Sequence, residues 1–253
     1  MAVVTMNSNK ANFQNEAFFQ DLNEAFDRLE GEFFDCSVVI TGQGSVFSAG
    51  LDFDESFSVF GSRDEATITS WFRRYRATNL RVFRHPRPTV AAINGHAYAG
   101  GLITALVCDY RVAATGTHQY CLNEVPIGIP MPAVYLELIG YASTIHTASR
   151  AALFGETFDG AEALRLGLIH RVVSPDDLVS SAERIAGSIR AQSFAAYAFS
   201  KAAVQAPTMD RIERLDDEFD SSIASIVASE ESLNSLAARF EAIKGRRPAW
   251  ARE

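Results

Sequence analysis

A chain of 253 residues, 47% of them hydrophobic, carries enough apolar material for a substantial core, as one large domain or two small ones. Its formal net charge of −8 argues against long-range attraction to nucleic acid or to an anionic membrane, and no run of about 18 uncharged apolar residues is present to form a transmembrane helix. The three cysteines, Cys36, Cys108 and Cys121, stand isolated, which argues against a disulfide framework and a metal motif. A reducing compartment follows, in the first place the cytoplasm, with a mitochondrial or peroxisomal location left open. Met1–Thr5 begins a short apolar run with no charged region ahead of it, so no targeting segment is expected there.

Ala2–Met6 reads as a strand, and a helix follows from about Asn15 to Glu30, where Phe18, Leu22, Ala25, Phe26 and Leu29 recur at helical spacing. Cys36–Thr41 has the composition of a buried strand. Arg63–Phe83 reads as a longer helix, stopped by Pro86 and Pro88 before the strand Thr89–Asn94. A helix over 101–108 leads into a strand at Tyr110–Ala114, His118–Leu122 is a further strand segment, and Pro132–Gly140 begins another helix. Asp159 and Glu162 fit a capping box, in which Asp159 accepts from first-turn amides and Glu162 reaches back. That helix is predicted to end at Gly167, with Leu168–Val173 returning as a strand. Ser174, Pro175, Asp176 and Asp177 offer a cap, a proline at the first helical position and first-turn acids.

From Ser180 the strand signal fades. Ile212, Leu215, Phe219, Ile223 and Ile226 fall at three- and four-residue spacing, and Leu233, Leu236, Phe240 and Ile243 do the same after Glu230 and Glu231. Glu213, Asp216, Asp217, Glu218 and Asp220 between them read as a solvated face. The stripes cover the chain's own core or pack on a neighbouring subunit. Alternating strands and helices predict an α/β architecture, with a core over residues 1–195, a helical region over 196–253 and no linker that marks an independent second domain.

Two glycine turns and one glutamate carry the chemistry. Phe47-Ser48-Ala49-Gly50-Leu51-Asp52 follows one apolar run, and Asn94 to Gly101 follows another. Each reads as a strand, a glycine turn and the start of a helix. Small residues there let a ligand approach the backbone and leave N–H groups free to meet it. Two such turns facing one another would hold an oxyanion, as an acyl-thioester enzyme requires. Glu124 sits among apolar neighbours that favour a half-buried carboxylate, and burial raises its pKa toward that of a useful base. Its alternative role is to cap the turn before Gly128. Asp52 reads as a helix cap, Asp109 as a tie at the turn after a helix, and His96 as a satisfied turn histidine. His118, His146 and His170 lack ligand-like spacing, and no metal site is expected. Lys201, Arg246 and Arg247 are either surface cations or contacts for phosphates.

The stretches VFSAGLDF at 46–53, RPTVAAINGHAYAGG at 87–101, CDYRVAA at 108–114, LNEVPIGIP at 122–130 and GETFDGAEALRLGLIHRVVSPDDL at 155–178 closely resemble the crotonase (enoyl-CoA hydratase/isomerase) superfamily. The resemblance covers nearly the whole chain, in order and spacing. It implies an α/β fold, a spiral of β-β-α turns with a helical C-terminal region, although many members begin with a strand before the one that Ala2–Met6 resembles. It implies an acyl-CoA substrate with no further cofactor, and trimers that sometimes pair into hexamers. By the same resemblance the backbone N–H groups of Leu51 and Gly100 are the oxyanion donors and Glu124 transfers the proton. Ser48, Ala49, Gly50, Leu51, Asp52, Gly100, Gly101 and Asn123 are implied as substrate-binding.

The resemblance also discriminates between reactions. Family hydratases carry a second glutamate three residues beyond the oxyanion glycine, where this chain has Ile103, and dienoyl isomerases carry an aspartate where it has Pro132. A single glutamate favours moving a double bond from C3 to C2 of an enoyl-CoA. Hydration or thioester hydrolysis on the same fold, and a non-catalytic acyl-CoA-binding protein, are the alternatives.

Overall fold

The computed structural model describes residues 1–190 and 193–251. In chain order the elements are β1 (Ala2–Met6), α1 (Glu16–Glu30), β2 (Val38–Gly42), β3 (Val46–Ser48), α2 (Phe53–Gly61) and α3 (Glu65–Arg84). There follow β4 (Thr89–Ile93), β5 (His96–Tyr98), α4 (Gly100–Leu106), β6 (Tyr110–Ala114), β7 (Tyr120–Cys121), α5 (Ala133–Ala142) and α6 (Ile145–Ala148). The last are β8 (Thr157–Phe158), α7 (Gly160–Arg165), β9 (Arg171–Val173), α8 (Leu178–Arg190), α9 (Phe194–Glu218), α10 (Ile223–Val227) and α11 (Glu230–Lys244). Two sheets run through them. One is parallel, in the order β1-β2-β4-β6-β9, and the other has the order β3-β5-β7-β8, parallel except for β8.

The repeating unit is a long strand of the first sheet, a short strand of the second, then helix. β2-β3-α2, β4-β5-α4 and β6-β7-α5 are three successive turns of this spiral, which is the architecture the resemblance implied. The central strands of the first sheet, β2, β4 and β6, are buried almost throughout because both of their faces are covered. On one face Leu178, Ala182 and Ala186 of α8 pack on Val39, Val90, Ala92 and Val112. The other face places Val38, Ile40, Ala91 and Ile93 in the main core with Phe26, Trp71, Phe83 and Leu138 from the helices.

Several local expectations hold for their stated reason. The helix expected from about Asn15 begins there, with the Asn15 side chain accepting from the Phe18 amide at 2.9 Å. Gly167 takes φ +76° just past α7, and Ser174 caps the turn that follows β9. Others need correction. Asp159 does cap α7, but Glu162 does not reach back; it pairs with Arg165 and Arg150 instead, at 2.6 Å and 3.3 Å. Ile212 to Ile226 is not one stripe, because α9 ends at Glu218 and a tight turn precedes α10. Phe219 is consequently 55% exposed, while Ile212 and Ile223 are buried. Nor are the intervening acids simply solvated. Asp216 pairs with Arg76, and Asp220 Oδ1 accepts from the Ala133 amide at 2.7 Å, its burial raising the carboxyl above its ordinary value. The Asp217 side chain lies outside the described residues.

Candidate active site

The first glycine turn follows β3 and is stitched to the segment before α1. Ala49 N donates to Ala11 O, Gln14 N to Gly50 O and Asp52 N to Gln14 O, at 2.9, 2.8 and 2.8 Å. Ser48 Oγ donates to Asn12 O at 2.8 Å and accepts from the Gly50 amide at 3.2 Å. Gly50 has φ +85°, where a side chain would be strained. Asp52 then caps α2 by accepting from the amides of Asp54 and Glu55.

The second turn follows β5. Ala99 holds φ +48° and ψ −125°, a conformation that non-glycine residues rarely take, and it swings the chain directly into α4. The two turns touch. A Cβ on Gly50 would lie 2.8 Å from Ala99 Cβ and 3.1 Å from the Gly100 amide nitrogen, and one on Gly101 would collide with the Ser48 carbonyl. A trans peptide directs its C=O and N–H in opposite directions. With Gly50 O held by Gln14, the Leu51 N–H therefore points away from residues 11–14. Gly100 opens α4, where a first-turn amide has no intrahelical acceptor. Neither the Leu51 nor the Gly100 amide donates to an acceptor among the described residues.

These turns border a cavity of about 230 Å³. Its walls are largely apolar, with Phe53 and Phe57 from α2 and Ile127 and Ile129 from the loop after Glu124. Tyr98, Asn123, Glu124 and Arg239 bring the polar groups. Glu124 follows β7 and is only 8% exposed. Its own carbonyl accepts from the Ile127 and Ile129 amides, so the backbone rather than the side chain closes the turn that Gly128 completes at φ +88°. The carboxylate is left without that capping role, and Oε2 has no hydrogen-bond partner among the described residues. Burial pushes its pKa from 4.5 up to about 7. Tyr75 lies close enough to feel the Glu124 charge, and burial together with that charge raises its phenol pKa.

The predicted residues thus divide into two groups. Ala49, Leu51, Asn123 and Glu124 line the cavity, and Gly100 brings its amide beside Gly50. Ser48, Gly50, Gly101 and Asp52 shape the turns behind it. Ile103 is buried in the core on α4, and Pro132 stands at the start of α5. Lys201 does not face the cavity: Nζ lies 2.8 Å from Asp109 Oδ1, while Asp109 Oδ2 accepts from the Thr89 amide and hydroxyl. Asp109 is the tie that its position suggested. His96 Nδ1 accepts from the Gln119 amide, and Arg246 pairs with Asp54. No group of histidines, cysteines and carboxylates among the described residues could hold a metal ion, and no described helix is long and apolar enough to cross a membrane. Gln14, Tyr98 and Arg239 were missed. Gln14 lies in a loop without periodicity, where nothing in the sequence announces burial, and Tyr98 lies inside the recognised AYAGG turn.

The family described as enoyl-CoA hydratase/isomerase matches the chain over residues 1–250. Human mitochondrial enoyl-CoA delta isomerase 1 is 28% identical over 247 residues, covering 96% of this chain and 80% of that protein. The short-chain-enoyl-CoA hydratase of Clostridium acetobutylicum is 29% identical over 210 residues, covering 81% and 77%. The crystal structure of human mitochondrial delta3-delta2-enoyl-CoA isomerase superposes with a TM-score of 0.86 at 28% identity, covering 96% of this chain and 93% of that one.

Proposed function

Within the enoyl-CoA hydratase/isomerase family, to which this chain belongs, we propose that it moves the double bond of an enoyl-CoA from C3 to C2. The thioester oxygen of the substrate is held between the Leu51 and Gly100 amides. Glu124 removes a proton from C2, the electrons pass to the thioester oxygen as a dienolate, and the same proton returns at C4. No water enters the product. CoA arrives as part of the substrate, so the reading calls for no separate cofactor.

One observation carries the choice: Glu124 is a buried carboxylate at the cavity with Oε2 unpaired, while the position that holds a second glutamate in family hydratases is filled by the core residue Ile103. Adding water needs acid and base functions around that water; shuttling one proton needs a single group with a pKa near neutrality. The test is to incubate the protein separately with trans-3-enoyl-CoA and trans-2-enoyl-CoA and identify products by chromatography and mass. Dominant 3-hydroxyacyl-CoA would replace this reading with hydration, and free CoA would replace it with hydrolysis. The proposal includes assembly as a trimer, using apolar residues exposed on the single chain such as Ile145, Phe154 and Phe199. Sedimentation equilibrium tests it, and a monomer at working concentration would refute it.

A further inference from the structure

We propose that the Gln14 side chain is a positioning residue that fixes the two oxyanion turns against each other. The inference rests on the oxyanion reading above. Gln14 belongs to neither turn, yet it is hydrogen-bonded to both. Its main chain pairs with the first turn: the Gln14 amide donates to Gly50 O, and Gln14 O accepts from the Asp52 amide. Its side chain crosses to a residue 86 positions away, Nε2 donating to Gly100 O at 3.3 Å and to Thr104 Oγ1 at 2.9 Å. Thr104 Oγ1 in turn donates to Gly100 O at 3.0 Å. One residue therefore bonds the carbonyl next to the Leu51 donor and the carbonyl of the Gly100 donor.

This link is placed where the rest of the fold supplies little. β3 and β5 pair at Val46↔His96 and Ser48↔Ala97, with an irregular register between them, and the ladder stops before either donor. Beyond it the turns are in close van der Waals approach, Gly50 against the Ala99–Gly100 corner and Gly101 against Ser48. Gln14 supplies a directional tie across that contact. The side chain is 1% exposed, and its amide orientation is set by chemistry, since turning it over would aim Oε1 at the Gly100 carbonyl. As placed, Oε1 has no partner among the described residues. A buried acceptor left unpaired weakens the fold, so an apolar side chain of the same shape would serve packing as well or better. The donor end is what the site requires.

Gln14→Met keeps the volume and the main-chain bonds while deleting the donor. Two measurements read it: the infrared frequency of the thioester carbonyl in bound hexanoyl-CoA, which cannot isomerise, and kcat and KM for trans-3-enoyl-CoA. The expected result is a smaller downshift of the carbonyl than in wild type, kcat lower by about tenfold and KM little changed. A purely structural role would lower the melting temperature and leave the bound carbonyl shifted as in wild type. That pattern, or wild-type kcat, overturns the inference. An unshifted carbonyl in the wild type fails the oxyanion reading itself, and the inference falls with it. Should Gln14→Met not fold, Gln14→Leu deletes the same donor with a shorter apolar side chain. The same reduced carbonyl shift is expected, and a wild-type shift there overturns the inference equally.

Discussion

Replacing Glu124 by Gln tests catalysis and stability at once, with opposite signs. The variant keeps the shape of the side chain but has no basic carboxylate, so turnover of trans-3-enoyl-CoA should fall by ~10²–10⁴, the usual contribution of a general base. Stability should rise. Burial lifts the folded-state pKa of Glu124 from 4.5 to about 7, so between those values the folded protein binds a proton that the unfolded chain has released. Stability from this group is therefore present below about pH 4.5, declines as pH rises through the window and is fully lost above about 7. At pH 8 the penalty for the buried charge is about 3 kcal/mol, and at pH 5 it is under about 1 kcal/mol. Gln, neutral at both pH values, escapes it.

For a chain of this size, 1 kcal/mol moves the melting temperature by about 2–4 °C. Glu124→Gln should thus melt several degrees above wild type at pH 8 and close to it at pH 5, with acyl-CoA binding retained. Wild-type activity should climb with pH and level off above about 7, as the carboxylate becomes ionised. Paired thermal melts at the two pH values and a pH profile of kcat/KM make the measurement. Near-normal turnover in the variant would move the base elsewhere, and an equal melting difference at both pH values would mean that Glu124 is not a buried charge.

Ile103→Glu places a carboxylate where family hydratases have one; it should lower the melting temperature by burying a new charge and yield detectable 3-hydroxyacyl-CoA. A folded variant with no hydration product would show that this position does not decide the reaction. Lys201→Met strands Asp109 in a mostly buried site and should cost about 3 kcal/mol in denaturant unfolding, with acyl-CoA affinity unchanged. Weaker acyl-CoA binding at unchanged stability would return Lys201 to the role of a phosphate contact. Leu51→Pro deletes one of the two proposed oxyanion donors and should reduce turnover by ~10²–10³; a folded variant with wild-type turnover would remove Leu51 from the site.

What could be read from the residues was what local physics dictates. Asp159, Gly167 and Ser174 act through bonds and dihedral preferences contained within a few positions, so their turns were legible. Strand runs buried on both faces stood out as β2, β4 and β6. The bounds of the short strands β3, β5 and β8 were not legible, because each is two or three residues set against a turn and shows no alternation of its own, whereas β7 and β9 lay inside longer apolar runs. The start of helix α2 was legible from its glycine turn and its cap, Asp52, although its extent was not. The stripe through Phe219 failed for a related reason. Periodicity continues on paper across residues 219–222, while the backbone there tightens and rotates the next helix away. Gln14 was invisible because its role depends on a residue 86 positions distant.

The sequence spacing of the site residues follows from the spiral. Leu51, Gly100 and Glu124 each stand just past the C-terminal end of a short strand, β3, β5 and β7 respectively, and those strands are adjacent in one sheet. Neighbouring strands lie about 4.8 Å apart. Three consecutive turns of the spiral thus deliver one group each to the same edge, and the lengths of α2, α3 and α4 set the sequence intervals without affecting the geometry. Register is what the site cannot spare. Sliding β5 by one residue against β3 would displace the proposed Gly100 donor by about 3.3 Å and reverse the faces of the strand's side chains. That displacement exceeds the span over which two N–H groups can share one oxygen. Ala99 at positive φ, the unpaired Oε2 of Glu124 and the unpaired Oε1 of Gln14 all gather around this edge, and the packed core around it makes such concentrated strain tolerable.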